Sequence, residues 1–238
     1  MQSLIRVIYP AQCVACDAGT EDDFGLCGAC WRDTDFISGT ICDKCGVPLP
    51  GDFVDADVYC DDCMTIARPW DRGRAVLAYA GVGRKLVLQL KHGDRTDLAQ
   101  PAGRWLARQA KDLIRPDTVI VPVPLHWVRL LRRRFNQAAI MANVLGKLLD
   151  VPVCPDALVR PRPTRSLDHR SRDARFATLQ GAIKPHPKRA SEIAGRSVLL
   201  VDDVMTSGAT LAACADACVA AGANHVDVLT LARAVKDA

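Results

Sequence analysis

The chain is expected to be an α/β protein built on a mostly parallel sheet, preceded by a small metal-stapled domain. Three observations predict this. Uniformly apolar runs such as Val119-Ile120-Val121 and Val198-Leu199-Leu200-Val201 alternate with helical segments, as in a sheet buried on both faces. Eight of the eleven cysteines fall between Cys13 and Cys63, all in CxxC pairs. One apolar run ends on two adjacent acids and then Thr-Ser-Gly-Ala-Thr, just before a helix.

Composition sets the outer limits. The 238 residues are 49% hydrophobic and 24% charged, which describes a globular protein with a substantial core. No apolar run approaches the ~20 residues of a membrane helix. Met1 to Arg6 lacks the charged and apolar regions of a secretory signal, so a cytoplasmic protein is expected. A formal charge of +4 does not by itself imply nucleic acid. The arginines, however, cluster in Arg129 to Arg134 and Arg160 to Arg175. Aromatic residues, at 5%, are too few for extensive base stacking.

Along the chain, Leu4 to Pro10 is a short apolar lead, read as a helix or strand. Four knuckles follow, at Cys13/Cys16, Cys27/Cys30, Cys42/Cys45 and Cys60/Cys63. Reduced thiols in such pairs bind metal, and two knuckles complete a four-cysteine zinc site. Eight cysteines therefore give two structural zinc sites, by sequential or crossed pairing. The stretch has too few large apolar residues to fold without such staples. A linker at Arg68-Pro69-Trp70-Asp71 separates a zinc unit, residues 1–67, from the body, residues 68–238.

The body opens with a strand at Arg74 to Tyr79 and a turn at Gly81 to Gly83. A helix from Lys85 runs to Asp94, and a second spans Asp97 to Ile114, with Pro101 tolerated in its first turn. A strand covers Val119 to Pro124, then a basic segment runs to Gln137. Ala138 to Leu149 has helical spacing, and Val151 to Val153 is a short strand. Arg160 to Arg175, rich in Arg, Pro and Ser, reads as a loop. The strand from Val198 should stop at Asp202. A helix over Leu211 to Ala221 is ended by Gly222, and Val226 to Leu231 is a last buried strand.

The segment Val198 to Thr210 carries the chemistry. Ligands of open α/β sheets bind beyond the carboxyl ends of the strands. Backbone N–H groups and hydroxyls of Thr206, Ser207, Gly208, Ala209 and Thr210, at a helix N-terminus, suit a phosphate. Asp202 and Asp203 repel phosphate but accept from sugar hydroxyls or hold hydrated Mg2+. A ribose 5-phosphate satisfies both halves. The thirteen residues resemble the phosphoribosyl-pyrophosphate (PRPP) motif of type I phosphoribosyltransferases, with Ser207 in place of the usual second threonine. The resemblance implies a PRPP site that includes Val204 and Met205 as well.

The whole layout resembles the ComF family, in which a double zinc ribbon precedes a phosphoribosyltransferase-like domain. The likeness rests on the four knuckles, on Val121-Pro122-Val123-Pro124-Leu125-His126, on Arg133-Arg134-Phe135-Asn136-Gln137-Ala138, and on the PRPP motif. It implies a role in, or descent from, competence-associated DNA uptake, with single-stranded DNA or DNA-uptake proteins as partners. Arg134 stands where the family commonly has glycine. Leu167, Thr178 and Ile183 replace its usual Gln, Asn and Phe, whereas Arg175 and Gly181 are kept.

A pyrophosphate leaving group needs cations, and Lys91, Arg129 and Arg133 are the candidates. Asp202 and Asp203 would oversee Mg2+-dependent phosphoribosyl transfer, or only recognition by a non-catalytic sensor. No cysteine follows Met1, so an N-terminal glutaminase nucleophile is not expected. His126 at a strand end is more plainly a satisfied polar group than a base, and His169 less still a base. Cys154, Cys214 and Cys218 read as buried apolar thiols.

Overall fold

The computed structural model describes residues 10–21, 23–51, 57–162 and 172–235. The expectations for Leu4 to Tyr9, Leu167 and His169 lie outside them. A four-stranded sheet forms the body, in the order β1-β6-β5-β2, every pair parallel. Its strands are β1 (Gly73–Ala78), β2 (Val119–Pro122), β5 (Ser197–Met205) and β6 (His225–Arg233). Val153 adds a parallel bridge to Ile120 beyond the edge. A two-stranded antiparallel ribbon, β3 (Leu158–Val159) with β4 (Lys184–Pro185), stands apart.

Strict alternation divides the core between the two faces of the sheet. Ile120, Leu199, Val201, Leu229 and Leu231 face one cluster. Buried residues of α3 (Gly81–His92), α4 (Ala99–Gln109) and α6 (Gln137–Leu149) complete it, among them Leu86, Leu106 and Met141. Val119, Val121, Val198, Leu200, Val226 and Val228 face the other, against α8 (Ala209–Ala220). Helices α4 and α6 meet closely because Gly103 has no side chain; a Cβ there would lie 2.4 Å from Val144.

The cysteine-rich segment straddles the exposed edge of β1. It contains the short helices α1 (Gly28–Arg32) and α2 (Asp61–Thr65). Residues 35–37 run antiparallel to β1: Ile37 N–H donates to the Val76 carbonyl and Ala78 N–H to that of Asp35. An edge strand that would present unpaired backbone groups is thereby covered. Cys13, Val14 and Ala15 join the core on one face, and Cys42, Cys45 and Trp70 the core on the other. Arg72 and Arg74 each pair with both Asp43, inside the third knuckle, and Asp112 of the body.

Several expected boundaries shift. Gly81 to Gly83 forms the first turn of α3, since Gly83 packs against Ala78, where a Cβ would lie 2.5 Å from the carbonyl. The Asp97–Ile114 helix splits into a 3-10 turn, Thr96–Leu98, and α4, which ends at Gln109. The arginine-rich segment is not loop throughout, because α7 (Arg172–Leu179) begins within it. The basic segment after β2 contains α5 (Trp127–Arg133). Strand β5 continues through both acids to Met205, held by β6 pairing as far as Met205 opposite Arg233.

Candidate functional site

Each CxxC turn delivers two sulfurs to one place, and the pairing is sequential. Cys13, Cys16, Cys27 and Cys30 form one group and Cys42, Cys45, Cys60 and Cys63 the other, with ligand atoms within 4.8 Å of one another. Cys16 and Cys27 Sγ lie 3.7 Å apart, as do Cys45 and Cys60 Sγ. Four sulfurs about 2.3 Å from a tetrahedral Zn2+ would be about 3.8 Å apart. The donor sets fit zinc.

The carboxyl ends of the strands open into a cleft of about 820 Å³. Its floor is the end of β5. Because the strand continues through the acids, their side chains turn to opposite faces. Asp203 is 7% exposed, and its Oδ1 lies 3.1 Å from Lys91 Nζ at the end of α3. Burial works to lower the Lys91 pKa, but the charges of Asp203 and Asp202 outweigh it and the net shift is upward. Asp202 accepts from the Asp203 N–H at 2.8 Å. Desolvation, then the neighbouring Asp203 charge, raises Asp202 to about 7, against the pull of Lys91 and Arg160.

The phosphate-type loop follows. Gly208 is buried, takes φ +81 and stands at the N-cap of α8, a conformation suited to glycine. Ser207 Oγ accepts weakly from the Ala209 N–H at 3.4 Å. Arg175 of α7 donates to Thr206 Oγ1 at 2.9 Å.

The opposite wall is cationic, with Arg129, Arg132 and Arg133 from α5. His126 is its N-cap: Nδ1 accepts from the Val128 N–H, whereas the buried Nε2 has no hydrogen-bond partner among the described residues, so the expected satisfied polar group is met at one ring nitrogen and not the other. Arg134 ends the helix at φ +66, the left-handed conformation that explains the family's glycine here. Asn136 caps α6 through the Ala138 N–H and donates to the Val123 carbonyl, tying the tract to the exit of β2. Gln137 accepts from Arg133.

All the candidate residues from Asp202 to Thr210, with Lys91, Arg129 and Arg133, line this one cleft. Arg160 also lines it, buried beyond β3; desolvation and the Arg129 charge lower its pKa. The sequence places Arg160 in an arginine-rich loop, and composition holds no signal that singles it out among its neighbours. Arg68 and Arg233, which reach the loop's carbonyls, were also missed. Cys214 and Cys218 are buried in α8, and Cys154 beside β2, as expected of apolar thiols.

Comparison with known proteins agrees with this architecture. The double zinc ribbon domain model matches residues 4–64 and the phosphoribosyl transferase domain model residues 132–237. The DNA utilization protein YhgH of Escherichia coli K12 is 32% identical over 216 residues, covering 88% of this chain and 91% of that protein. Competence protein F of Haemophilus influenzae is 27% identical over 215 residues, with the same coverage. A hypoxanthine phosphoribosyltransferase structure from Staphylococcus aureus covers 61% of this chain and 69% of its own, at 17% identity and a TM-score of 0.34. Fold and site together define a phosphoribosyltransferase-like protein bearing a double zinc ribbon. The chain belongs to the ComF family, whose relatives here are YhgH and competence protein F.

Proposed function

We propose that the chain binds PRPP with Mg2+ in the cleft and transfers its phosphoribosyl group to an acceptor that remains to be identified. Residues 1–67 act as the zinc-ribbon unit and residues 68–238 as the ligand-binding unit. The observation that carries the reading is convergence: an acid pair, a glycine-turned hydroxyl loop at a helix start, and an arginine wall all line one cleft. Thr206 to Thr210 hold the 5-phosphate, with Arg175 alongside. Asp202 and Asp203 accept from the ribose hydroxyls and would hold Mg2+, which supplies neutralising charge to the pyrophosphate. Lys91, Arg129 and Arg133 stabilise pyrophosphate as it leaves. The acceptor's lone pair forms the new bond at the anomeric carbon as the C1–O bond to pyrophosphate breaks. Lys91 must release Asp203 for the ligand.

The test is thermal stability with PRPP and Mg2+. Wild-type protein should be stabilised by ligand linkage, and Asp203→Asn should abolish the shift. An equal shift in the variant would remove the acid pair from the site. Pyrophosphate release, assayed against a panel of bases and amines, then separates turnover from sensing.

A second reading is favoured by α5, which exposes Trp127, Val128 and Leu131 beside Arg132 and Arg134. Relatives bearing DNA-utilization and competence names speak for single-stranded DNA in the cytoplasm, or a DNA-uptake protein, as the partner on this reading. Phosphate contacts of this kind weaken steeply with salt. Arg132→Ala/Arg134→Ala should weaken DNA binding, and salt-independent binding would reject the assignment.

A further inference from the structure

The second cysteine cluster and the phosphate loop share two arginines. Arg233 ends β6 and is 4% exposed. Its Nη1 donates to the carbonyls of Thr206 at 2.7 Å and Met205 at 3.2 Å. Its Nη2 stands 3.7 Å from Cys45 Sγ. Arg68 follows the knuckle of Cys60 and Cys63. Its Nη1 donates to the Ser207 carbonyl at 2.7 Å, and its guanidinium lies within electrostatic reach of the Cys63 thiol. A Cβ on Gly208 would lie 2.8 Å from Arg68 Nη1, so the loop closes directly on this guanidinium. Consecutive carbonyls of the loop, at residues 205, 206 and 207, are thus held by two side chains, of which Arg233 touches the cluster and Arg68 lies beside it.

The charges match. Four thiolates around a divalent ion leave about two negative charges, and the two guanidiniums balance them. The Nε atoms of both arginines are buried and have no hydrogen-bond acceptor among the described residues. Guanidinium groups so placed, one buried and one half-buried, are favoured by a nearby negative charge, and the metal-thiolate cluster supplies it. If the cluster disperses, that compensation goes, and the arginines lose the reason to stay buried against the loop. The first cluster packs with the opposite face of the sheet and serves as an internal control.

We propose that Arg68 and Arg233 are positioning residues through which the zinc-loaded second cluster holds Thr206 to Gly208 in the shape that takes a phosphate monoester. The phosphate part of this statement rests on the reading of the loop given above; the mechanical coupling does not. Coupling of binding free energies is reciprocal, so a phosphate ligand in the loop tightens zinc at the second cluster and leaves the first unaffected.

Amide hydrogen exchange on the full, ligand-free chain tests the coupling. Arg233→Gln and Arg68→Gln should keep two zinc ions per chain yet speed exchange at residues 206–209 by about tenfold. Cys60→Ser should do the same, and Cys16→Ser in the first cluster should not. Arg233→Lys should restore part of the protection. Wild-type exchange in both Gln variants at full zinc content would overturn the proposal. So would equal acceleration by Cys16→Ser, which would mark general loosening. If Cys60→Ser does not fold, the two Gln variants decide. In a second arm, ribose 5-phosphate should slow zinc loss to a chelator from one of the two sites in wild type and not in Arg233→Gln. If ribose 5-phosphate fails to bind at all, the phosphate reading falls while the exchange result still decides the coupling.

Discussion

Asp202 is the residue whose chemistry depends most on its surroundings. A carboxylate held near pKa 7 by burial and a neighbouring acid is half protonated at neutral pH. On the proposed reading, the ionised form is the stronger acceptor for the sugar hydroxyls and the form that would hold Mg2+. PRPP affinity should therefore rise between pH 6 and 8 and level off above, and the Asp202→Asn variant should lose this component of the profile. Identical profiles by calorimetry would contradict it. Stability runs the other way. The folded-state pKa lies above the ordinary value of 3.8, so the folded chain binds the extra proton between about pH 4 and 7. Asp202 stabilises the fold below that window, and the contribution is lost as pH rises through it. Relative to Asp202→Asn, wild-type stability should fall on the order of 3 kcal/mol from pH 4 to 8, read from urea unfolding. The acid pair itself was legible in the sequence. That its two members turn to opposite faces was not, because the sequence places the strand's end at Asp202 and only the pairing with β6 carries it to Met205.

At the scale of elements, the end of α5 holds a cost that the sequence hints at and the backbone explains. Arg134 replaces the family's glycine and must adopt φ +66. Arg134→Gly should stabilise the chain by about 0.5–1 kcal/mol, measured by chemical denaturation, and should also lower any affinity for DNA. A destabilised variant would show that the arginine's packing outweighs its strain. The neighbouring Asn136 and Gln137 were legible only as part of a family tract. In the structure they have separate tasks, Asn136 capping α6 and Gln137 accepting from Arg133. Strand positions were legible wherever branched apolar runs occur. The ribbon of β3 and β4 was missed because each strand has two residues, too few for a period to show.

At the scale of the molecule, the zinc ribbons and the sheet form one packed body. The seam leaves no room at Gly73, where a Cβ would lie 2.5 Å from the Lys44 carbonyl and 2.9 Å from Val228. Gly73→Ala should cost about 1–3 kcal/mol and lower the melting temperature. It should also loosen the pairing of residues 35–37 with β1, seen as faster exchange at Ile37 and Ala78. Stripping both zinc ions with a chelator should uncover the edge of β1 and promote association through it. Light scattering that stays at the monomer value after complete zinc loss would show that the edge is protected by other means.

Local patterns in the chain were enough to establish what kind of protein this is. Two-faced apolar runs dictate a buried parallel sheet, CxxC spacing dictates paired cysteine knuckles, and an acid pair before a Thr-Ser-Gly turn marks the proposed sugar-phosphate site, because each depends on residues adjacent in the chain. Folding in three dimensions settled what lies far apart in the chain. Sequential pairing of the knuckles, Lys91 on Asp203, Arg160 in the cleft wall, and Arg68 and Arg233 bridging a cysteine cluster to the phosphate loop all join residues that no local pattern relates. Long arginine and lysine side chains carry most of these links. Their charge is visible in a sequence, but which of many possible partners each one reaches is set only when the sheet and the ribbons pack together.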